Sequence, residues 1–250
     1  MQDLLLIGLS RQVALSRELD VVANNIANID TTGFKADGAL FEEYLSSAAN
    51  GNQGPPISFV RDRATWVDMS HGPMQHTGNP LDLAIDGDAF FAVQTANGVR
   101  YTRNGSFKID ATGQIVTGDG DPVLGDGGPI KLQPNDSQLQ VSPDGTVSVR
   151  EGASNADSQR GKLRLVRFAD VKQLQKDGGN MFNYLGTGQP PQDTKSSVIQ
   201  GSLEKSNVRG VLEMSRMIQI NRSYQQIAAM MQQQNDMGTT AINKLADVPA

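Results

Sequence analysis

Apolar side chains recur at intervals of three and four residues near both ends of this 250-residue chain. This spacing is the heptad pattern of helices that pack along a common seam. The C-terminal pattern runs from about Val208 to about Leu245, so a helix there is roughly 57 Å long at ~1.5 Å per residue. We therefore predict two long terminal helices in a coiled-coil-like layer. Their seams consist of Leu15, Leu19, Val22, Ile26 and Ile29 at the N-terminal end, and of Met217, Ile220, Tyr224, Ile227 and Met231 at the C-terminal end.

The middle of the chain changes to a period of two. Short runs such as "FFAVQT" and "KLRLVRF" are separated by Asn-Gly and Asp-Gly dipeptides, for example Asn97-Gly98 and Asp144-Gly145. Regular short strands joined by such turns are typical of an all-β sandwich or barrel. The sequence thus predicts an α+β protein, in which long N- and C-terminal helices flank a central all-β domain.

The predicted domain boundaries follow from these changes of pattern. Residues 1–35 form the N-terminal helix, which pairs with a C-terminal helix at 204–250. Residues 36–57 form a linker, because the stretch "SSAANGNQGPPIS" has the composition of one. Residues 58–203 form the central β domain.

Three asparagines, Asn24, Asn25 and Asn28, lie in a segment without charge between Asp20 and Asp30. Apolar residues off the seam give this segment an apolar surface on nearly every side, which is typical of a buried helix. A buried amide needs a partner, because leaving it unsatisfied costs roughly 1–3 kcal/mol, and a satisfied amide fixes the register between helices. We predict that the asparagines and the two seams form the interface of a multi-subunit assembly. A self-contained coiled-coil dimer is the alternative.

The stretch "DTTGF" predicts the end of the N-terminal helix. Thr32 and Gly33 form the turn, and Gly33 is suited to the positive φ that commonly ends a helix. We expect the chain to leave the helical layer for the β domain at this point.

Composition excludes several kinds of chemistry. The chain has no cysteine, and its net charge of −5 argues against binding nucleic acid. His71 and His76 lie five residues apart and raise the alternative of a metal-dependent hydrolase, but solvated loop histidines fit the Gly-Pro context better. The sequence contains neither a phosphate-binding P-loop nor a GxSxG motif. We expect no enzyme activity, no metal and no cofactor.

The sequence also bears on membranes and export. No stretch approaches the ~18 apolar residues of a transmembrane helix, so we expect no direct membrane insertion. The start "MQDLLLIGLSRQ" carries Asp3 and lacks a basic segment, and is therefore a poor secretory signal peptide. A secreted β-domain binding module, dimerised by a coiled coil, is compatible with these features.

Three motifs resemble those of the bacterial flagellar axial proteins, which are the rod and hook subunits. "VVANNIANIDTTGFK" resembles their N-terminal signature and "GSLEKSNVRGVLEMSRMIQINRSYQ" their C-terminal signature. "GNPLDLAIDGDAFFAV" and "YTRNGSFKIDATGQIVT" resemble the start of their β domain. The lead "GLSRQVALSRELD", the phrase "FEEYL" and the modest length resemble the proximal rod subunits most and the distal rod subunits next. Hook subunits are usually longer.

This resemblance implies a structural role without catalysis. Family members are exported unfolded through the flagellar export apparatus, without a cleaved signal peptide. They assemble with copies of themselves and with other proximal and distal rod subunits into a hollow helical shaft of the basal body. The shaft crosses the periplasm and transmits motor torque for motility. The terminal helices form its inner layer and the β domains its outer layer.

Overall fold

Two long helices and many short strands confirm the predicted α+β class. In the computed structural model, which describes residues 2–45, 58–152 and 157–246, helix α1 spans Gln2–Ala27 and helix α2 spans Gly210–Ala246. The contacts divide the chain into two units. The helical unit contains both helices and a β-hairpin. The β unit contains the remaining strands together with Asn28–Lys35.

Helix α1 ends earlier than predicted, and helix α2 begins later than predicted. Helix α1 ends at Ala27, so Asn28 and Ile29 lie beyond it. Helix α2 begins after Arg209, whose carbonyl accepts hydrogen bonds from the amides of Leu212 and Glu213 at 2.9 and 3.0 Å. The predicted C-terminal helix at 204–250 is therefore wrong in its first residues, because Glu204, Lys205 and Asn207 make backbone hydrogen bonds within the β unit instead.

The linker predicted at 36–57 is wrong in its first half. Strand β1, Asp37–Leu45, pairs antiparallel with strand β2, Ser58–Val67, and the register shifts between Leu40 and Phe41. This hairpin belongs to the helical unit, so the main segment of the β unit begins at Met69 rather than at residue 58. The rest of the predicted linker, residues 46–57, lies outside the described residues.

The β unit is built from short antiparallel strands. Five of them form its largest sheet, in the order β14-β5-β6-β16-β15, and three form the sheet β11-β12-β13. Its strands are β3 Met74–His76, β4 Leu83–Asp86, β5 Ala89–Thr95, β6 Gly98–Thr102, β7 Lys108–Ile109, β8 Ile115–Val116, β9 Leu124–Gly125, β10 Gly128–Pro129, β11 Asp136–Val141, β12 Thr146–Glu151, β13 Asp157–Lys162, β14 Leu165–Arg167, β15 Leu174–Lys176, β16 Met181–Tyr184, β17 Ser197–Gln200 and β18 Ser202–Glu204.

Apolar residues from half of these strands share one core. Val93 of β5, Val147 of β12 and Leu165 of β14 all belong to it. Phe91 packs edge-on against Phe107, with ring centroids 5.1 Å apart. The apolar residues of the alternating sequence pattern therefore lie on the inside of the β unit.

A charged clip holds the sheet β11-β12-β13 together. Arg160 on β13 donates to both carboxylate oxygens of Asp136, at 2.5 and 2.7 Å, and to Glu151 at 2.6 Å. The hydrogen bonds from Arg160 outweigh desolvation and, with one from the Gln133 amide, hold the pKa of Asp136 below its ordinary value. A lowered folded-state pKa stabilises the fold above the unfolded pKa of about 3.9, and that stabilisation is lost as pH falls through the folded pKa.

We predict that Asp136→Asn makes the unfolding temperature depend less on pH in the acid range. Thermal unfolding followed by circular dichroism between pH 7 and pH 2 measures this. The wild-type midpoint should fall more steeply below about pH 4 than the midpoint of the variant, since the variant carries no titrating carboxylate at this position. Equal slopes for both proteins would contradict the assignment.

Candidate assembly surface

Asn25 joins three elements of the helical unit. Its side chain is 1% exposed. Its Nδ2 donates to the carbonyl of Asp37 at 2.8 Å, and its Oδ1 accepts from the amide of Asp37 at 2.8 Å. Nδ2 also lies 3.4 Å from Oε2 of Glu213 on α2. One buried amide therefore connects α1 to the first residue of β1 and to α2.

Three of the predicted interface residues are buried within the single chain. Val22 and Asn25 are each 1% exposed and Ile220 is 5% exposed. The hairpin β1–β2 packs against α1, and α1 packs against α2, so contacts inside the chain account for this burial. That these residues also contact other subunits stays a prediction.

The heptad seams lie where α1 and α2 of the same chain meet. A Cβ atom on Gly8 would lie 3.1 Å from Cγ of Met231, and Oε1 of Glu18 lies 3.6 Å from Nε of Arg216. The helices therefore run antiparallel, with Asn25 near Glu213 at the far end. The other seam residues of the two helices, Leu15, Leu19, Ile26, Met217, Ile227 and Met231, are half-buried, and Tyr224 is slightly more exposed.

The remaining predicted interface residues belong to different units. Asn24 is exposed on α1. Asn28 and Ile29 belong to the β unit, where Oγ1 of Thr31 donates to Oδ1 of Asn28 at 3.1 Å. Asn28 therefore helps to form the turn that follows the helix.

The helical unit exposes most of the large apolar side chains. Among the residues whose side chains the structure describes, sixteen large hydrophobic residues are exposed, and eleven of these belong to the helical unit. Monomeric proteins rarely leave so much apolar surface in one region unless it binds something. We call these residues the assembly surface: Leu9, Val13, Leu40, Trp66, Val211, Leu212, Met214, Ile218, Tyr224, Met230 and Met237.

Sequence analysis missed most of the assembly surface because it followed a single seam. Val211, Met214 and Ile218 are spaced three and four residues apart, so they form a second apolar stripe on α2. Val211 is 80% exposed, whereas Ile220 of the first seam is 5% exposed. The same heptad count in a second register would have identified this stripe.

We predict that Asn25→Leu destabilises the isolated chain, since it removes the amide that pairs with both backbone groups of Asp37. The expected loss in the free energy of unfolding is about 1–3 kcal/mol, measured by urea denaturation. Asn221→Leu makes the same substitution at an exposed position of α2 and should change stability by less than ~0.5 kcal/mol. Equal stabilities for the two variants would show that the buried amide is not needed.

The predicted turn at Thr32 and Gly33 is present. Gly33 has a φ of +67°, and its amide donates to the carbonyl of Glu204 at 2.7 Å. A Cβ atom at Gly33 would lie 2.5 Å from the carbonyl carbon of Arg103. Glycine is therefore required here both by the backbone angle and by the close approach of another backbone.

Alanine substitutions at Gly78 and Gly33 distinguish the cost of the positive φ from the cost of the close backbone approach. Gly78 has a φ of +75°, and a Cβ atom there would meet nothing within 4 Å. Gly78→Ala should therefore cost only the left-handed backbone term, roughly 1–2 kcal/mol. Gly33→Ala should cost clearly more in the same denaturation experiment, because the backbone of Arg103 must also move. Similar losses would mean that the close approach at Gly33 carries no cost.

A buried cluster of charges, which we call the Glu204 cluster, lies beside this turn. Nζ of Lys35 donates to Oε1 of Glu204 at 2.6 Å and to the carbonyl of Ser70 at 2.7 Å. Arg103 donates to Oε2 of Glu204 at 3.3 Å, and the amide of Gly72 donates to Oε1 at 3.1 Å. All three charged side chains are almost completely buried. Burial lowers the pKa of Arg103, and the charge of Glu204 opposes that shift.

Sequence analysis gave no role to the three charged residues of this cluster. Lys35 ends the N-terminal motif and Glu204 lies in the C-terminal motif, but no short-range pattern indicates that they meet. The one available signal was weak and concerned Lys35 alone, a charged residue between Phe34 and Ala36.

The two histidines lie in different surroundings. Nε2 of His71 lies 3.5 Å from Oδ1 of Asp88, whereas Nδ1 of His76 lies 3.4 Å from Oγ of Ser202. Within the described ranges, no group of three or more His, Asp or Glu side chains could hold a metal ion. In the same part of the chain, neither helix has a segment sufficiently long and apolar to span a lipid bilayer.

Family models match three parts of the chain. They are described as flagella basal body rod protein (residues 5–35), flagellar hook protein FlgE/F/G D1 domain (84–149) and flagellar basal body rod FlgEFG protein C-terminal (199–244). The chain is also 40% identical to flagellar basal-body rod protein FlgF of Caulobacter vibrioides, over 99% of this chain and 100% of the relative. The chain belongs to the flagellar basal-body rod protein family.

Other members of the rod protein family are nearly as similar. FlgF of Mesorhizobium japonicum is 37% identical over 98% of each chain. FlgG of Bacillus subtilis is 35% identical over 87% of this chain and 89% of the relative. The N-terminal family match contains Lys35 and the C-terminal match contains Glu204, so the two terminal regions typical of rod proteins meet at the Glu204 cluster.

Proposed function

We propose that this chain is a structural subunit of the proximal flagellar rod, and that the assembly surface is the region that other subunits cover. The observation that carries the proposal is the second apolar stripe of α2, formed by Val211, Met214 and Ile218. It stays exposed although α1 packs against α2 along the first seam. An exposed apolar stripe is stabilised when another protein covers it. Because the relatives of this chain are rod proteins, we propose that neighbouring rod subunits do so.

The partners follow from the same reasoning. We propose that they are copies of this chain and other proximal and distal rod subunits. A heterologous contact whose rotation does not close produces a helical filament rather than a dimer. We propose that such contacts build the periplasm-spanning part of the basal body, after export through the flagellar export apparatus without a cleaved signal peptide. The chain has no catalytic role in this proposal.

The distal rod is the second candidate position. It is supported by the 35% identity to a FlgG protein. The proximal position is favoured because two FlgF relatives align over 98–100% of both chains, whereas the FlgG relative aligns over 87% of this chain. Complementation separates the two: the gene should restore motility to a strain without its proximal rod subunit and fail in a strain without its distal one. The reverse pattern would place the chain in the distal rod.

The third candidate, a coiled-coil dimer carrying a β-domain binding module, makes a different prediction. A dimer would bury the second stripe in a closed contact and stay dimeric on dilution. Sedimentation of the purified full chain distinguishes them. A monomer at micromolar concentration supports the rod subunit, whereas a stable dimer supports the binding module.

We predict that Met214→Gln combined with Ile218→Gln abolishes motility without unfolding the subunit. Both side chains are more than half exposed, so the free energy of unfolding should change by less than about 1 kcal/mol. Leu185→Gln removes an exposed apolar side chain of the β unit and serves as the control, with motility retained. The measurements are urea denaturation and swimming in a complemented deletion strain. Normal swimming of the double variant would refute the role of this stripe.

A further inference from the structure

The first and last parts of the β unit are paired with each other. Strand β18 pairs with β3, so that Glu204 lies opposite Met74, and β17 pairs with β4, so that Gln200 lies opposite Leu83. Antiparallel neighbours are usually consecutive along the chain, but here the whole sheet-forming region separates the partners. The β unit is therefore closed by contacts between its two ends.

The turn segment Asn28–Lys35 is held by the same late residues. The amide of Gly33 donates to the carbonyl of Glu204 at 2.7 Å, and the amide of Asn207 donates to the carbonyl of Phe34 at 3.4 Å. Lys35 and Glu204 are 169 residues apart in sequence. Closing a loop of this length costs conformational entropy before the contact contributes any stabilisation. We therefore expect the contact to form late in folding.

The buried charges of the Glu204 cluster make this closure cooperative. Lys35 and Arg103 are both buried, and Glu204 is the buried carboxylate that contacts both. Nε of Arg103 has no hydrogen-bond partner among the described atoms, so the guanidinium depends on its other contacts. Burying two cations without their carboxylate is strongly unfavourable. The turn segment and the ends of the β unit therefore have reason to stay open until Glu204 arrives.

The backbone pairing of the central hairpin is local. Strands β5 and β6 form a hairpin in which Thr95 pairs with Gly98 across a two-residue turn. This pairing uses no residue from the ends of the unit, so it can form before they are present. Phe91 and Val93 of β5 then share the core with Val198 of β17 once the ends have docked.

We infer that the β unit folds in two stages, and that docking of residues 197–207 onto the turn segment and strands β3 and β4 is the last stage. Glu204 completes this stage by neutralising Lys35 and Arg103. The same contacts form the least stable cooperative part of the folded β unit. A chain whose last fifty residues have not yet been delivered keeps Lys35 and Arg103 in water. This inference concerns folding of the chain and does not depend on its place in the rod.

Hydrogen exchange of the full-length protein, followed by mass spectrometry, tests the inference. In refolding with pulse labelling, amides of β5 and β6 should become protected before those of β17, β18 and the turn segment. In native exchange, Glu204→Gln should speed exchange at β3, β4, β17, β18 and the turn segment by at least about tenfold, with little change in β5 and β6. Simultaneous protection in the first experiment, or equal acceleration of all strands in the second, would overturn the inference.

A second variant keeps the test decisive if Glu204→Gln does not fold. Lys35→Met removes one cation and leaves the Arg103–Glu204 contact in place. Compared with the wild type, it should speed exchange at β3, β4, β17, β18 and the turn segment and leave β5 and β6 nearly unchanged, since Arg103 keeps its carboxylate. No change in any of these segments, or equal acceleration in β5 and β6, would contradict the two-stage account.

Discussion

The carboxylate of Glu204 is the contact on which the β unit depends, because it neutralises cations from two other parts of the chain. Lys35 comes from the turn after the first helix, and Arg103 comes from just after β6. A buried charge is tolerated only with partners of this kind. The cluster therefore anchors the turn segment, which holds the end of the N-terminal family match, to strand β18, which lies in the first part of the C-terminal match.

The helical unit solves a different problem, because it cannot bury all of its apolar surface alone. Asn25 and the hairpin use one side of α1, and the first seam uses the facing side of α2. The stripe that includes Ile218 is left over. A structural subunit of a shaft needs both features: internal contacts that give the monomer a defined form, and leftover apolar faces that are buried only on assembly.

Local patterns in the sequence predicted much of this structure. The helices and the turn at Gly33 follow from short-range spacing and were confirmed. Strand β1 was missed because Asp37-Gly38 interrupts its apolar pattern and its partner begins thirteen residues after it ends. Asn25 was correctly predicted to be buried and bonded, but its partner is a backbone group of the same chain. The Glu204 cluster was missed because a contact between residues 35 and 204 leaves no local pattern.

Oxidative footprinting tests the central claim that the assembly surface is covered by other subunits. Met214, Met230 and Met237 are each at least half exposed in the single chain and react readily with hydroxyl radicals when exposed. We predict that they are oxidised in the purified monomer and strongly protected in isolated basal bodies. Equal oxidation of these methionines in the monomer and in basal bodies would contradict the account.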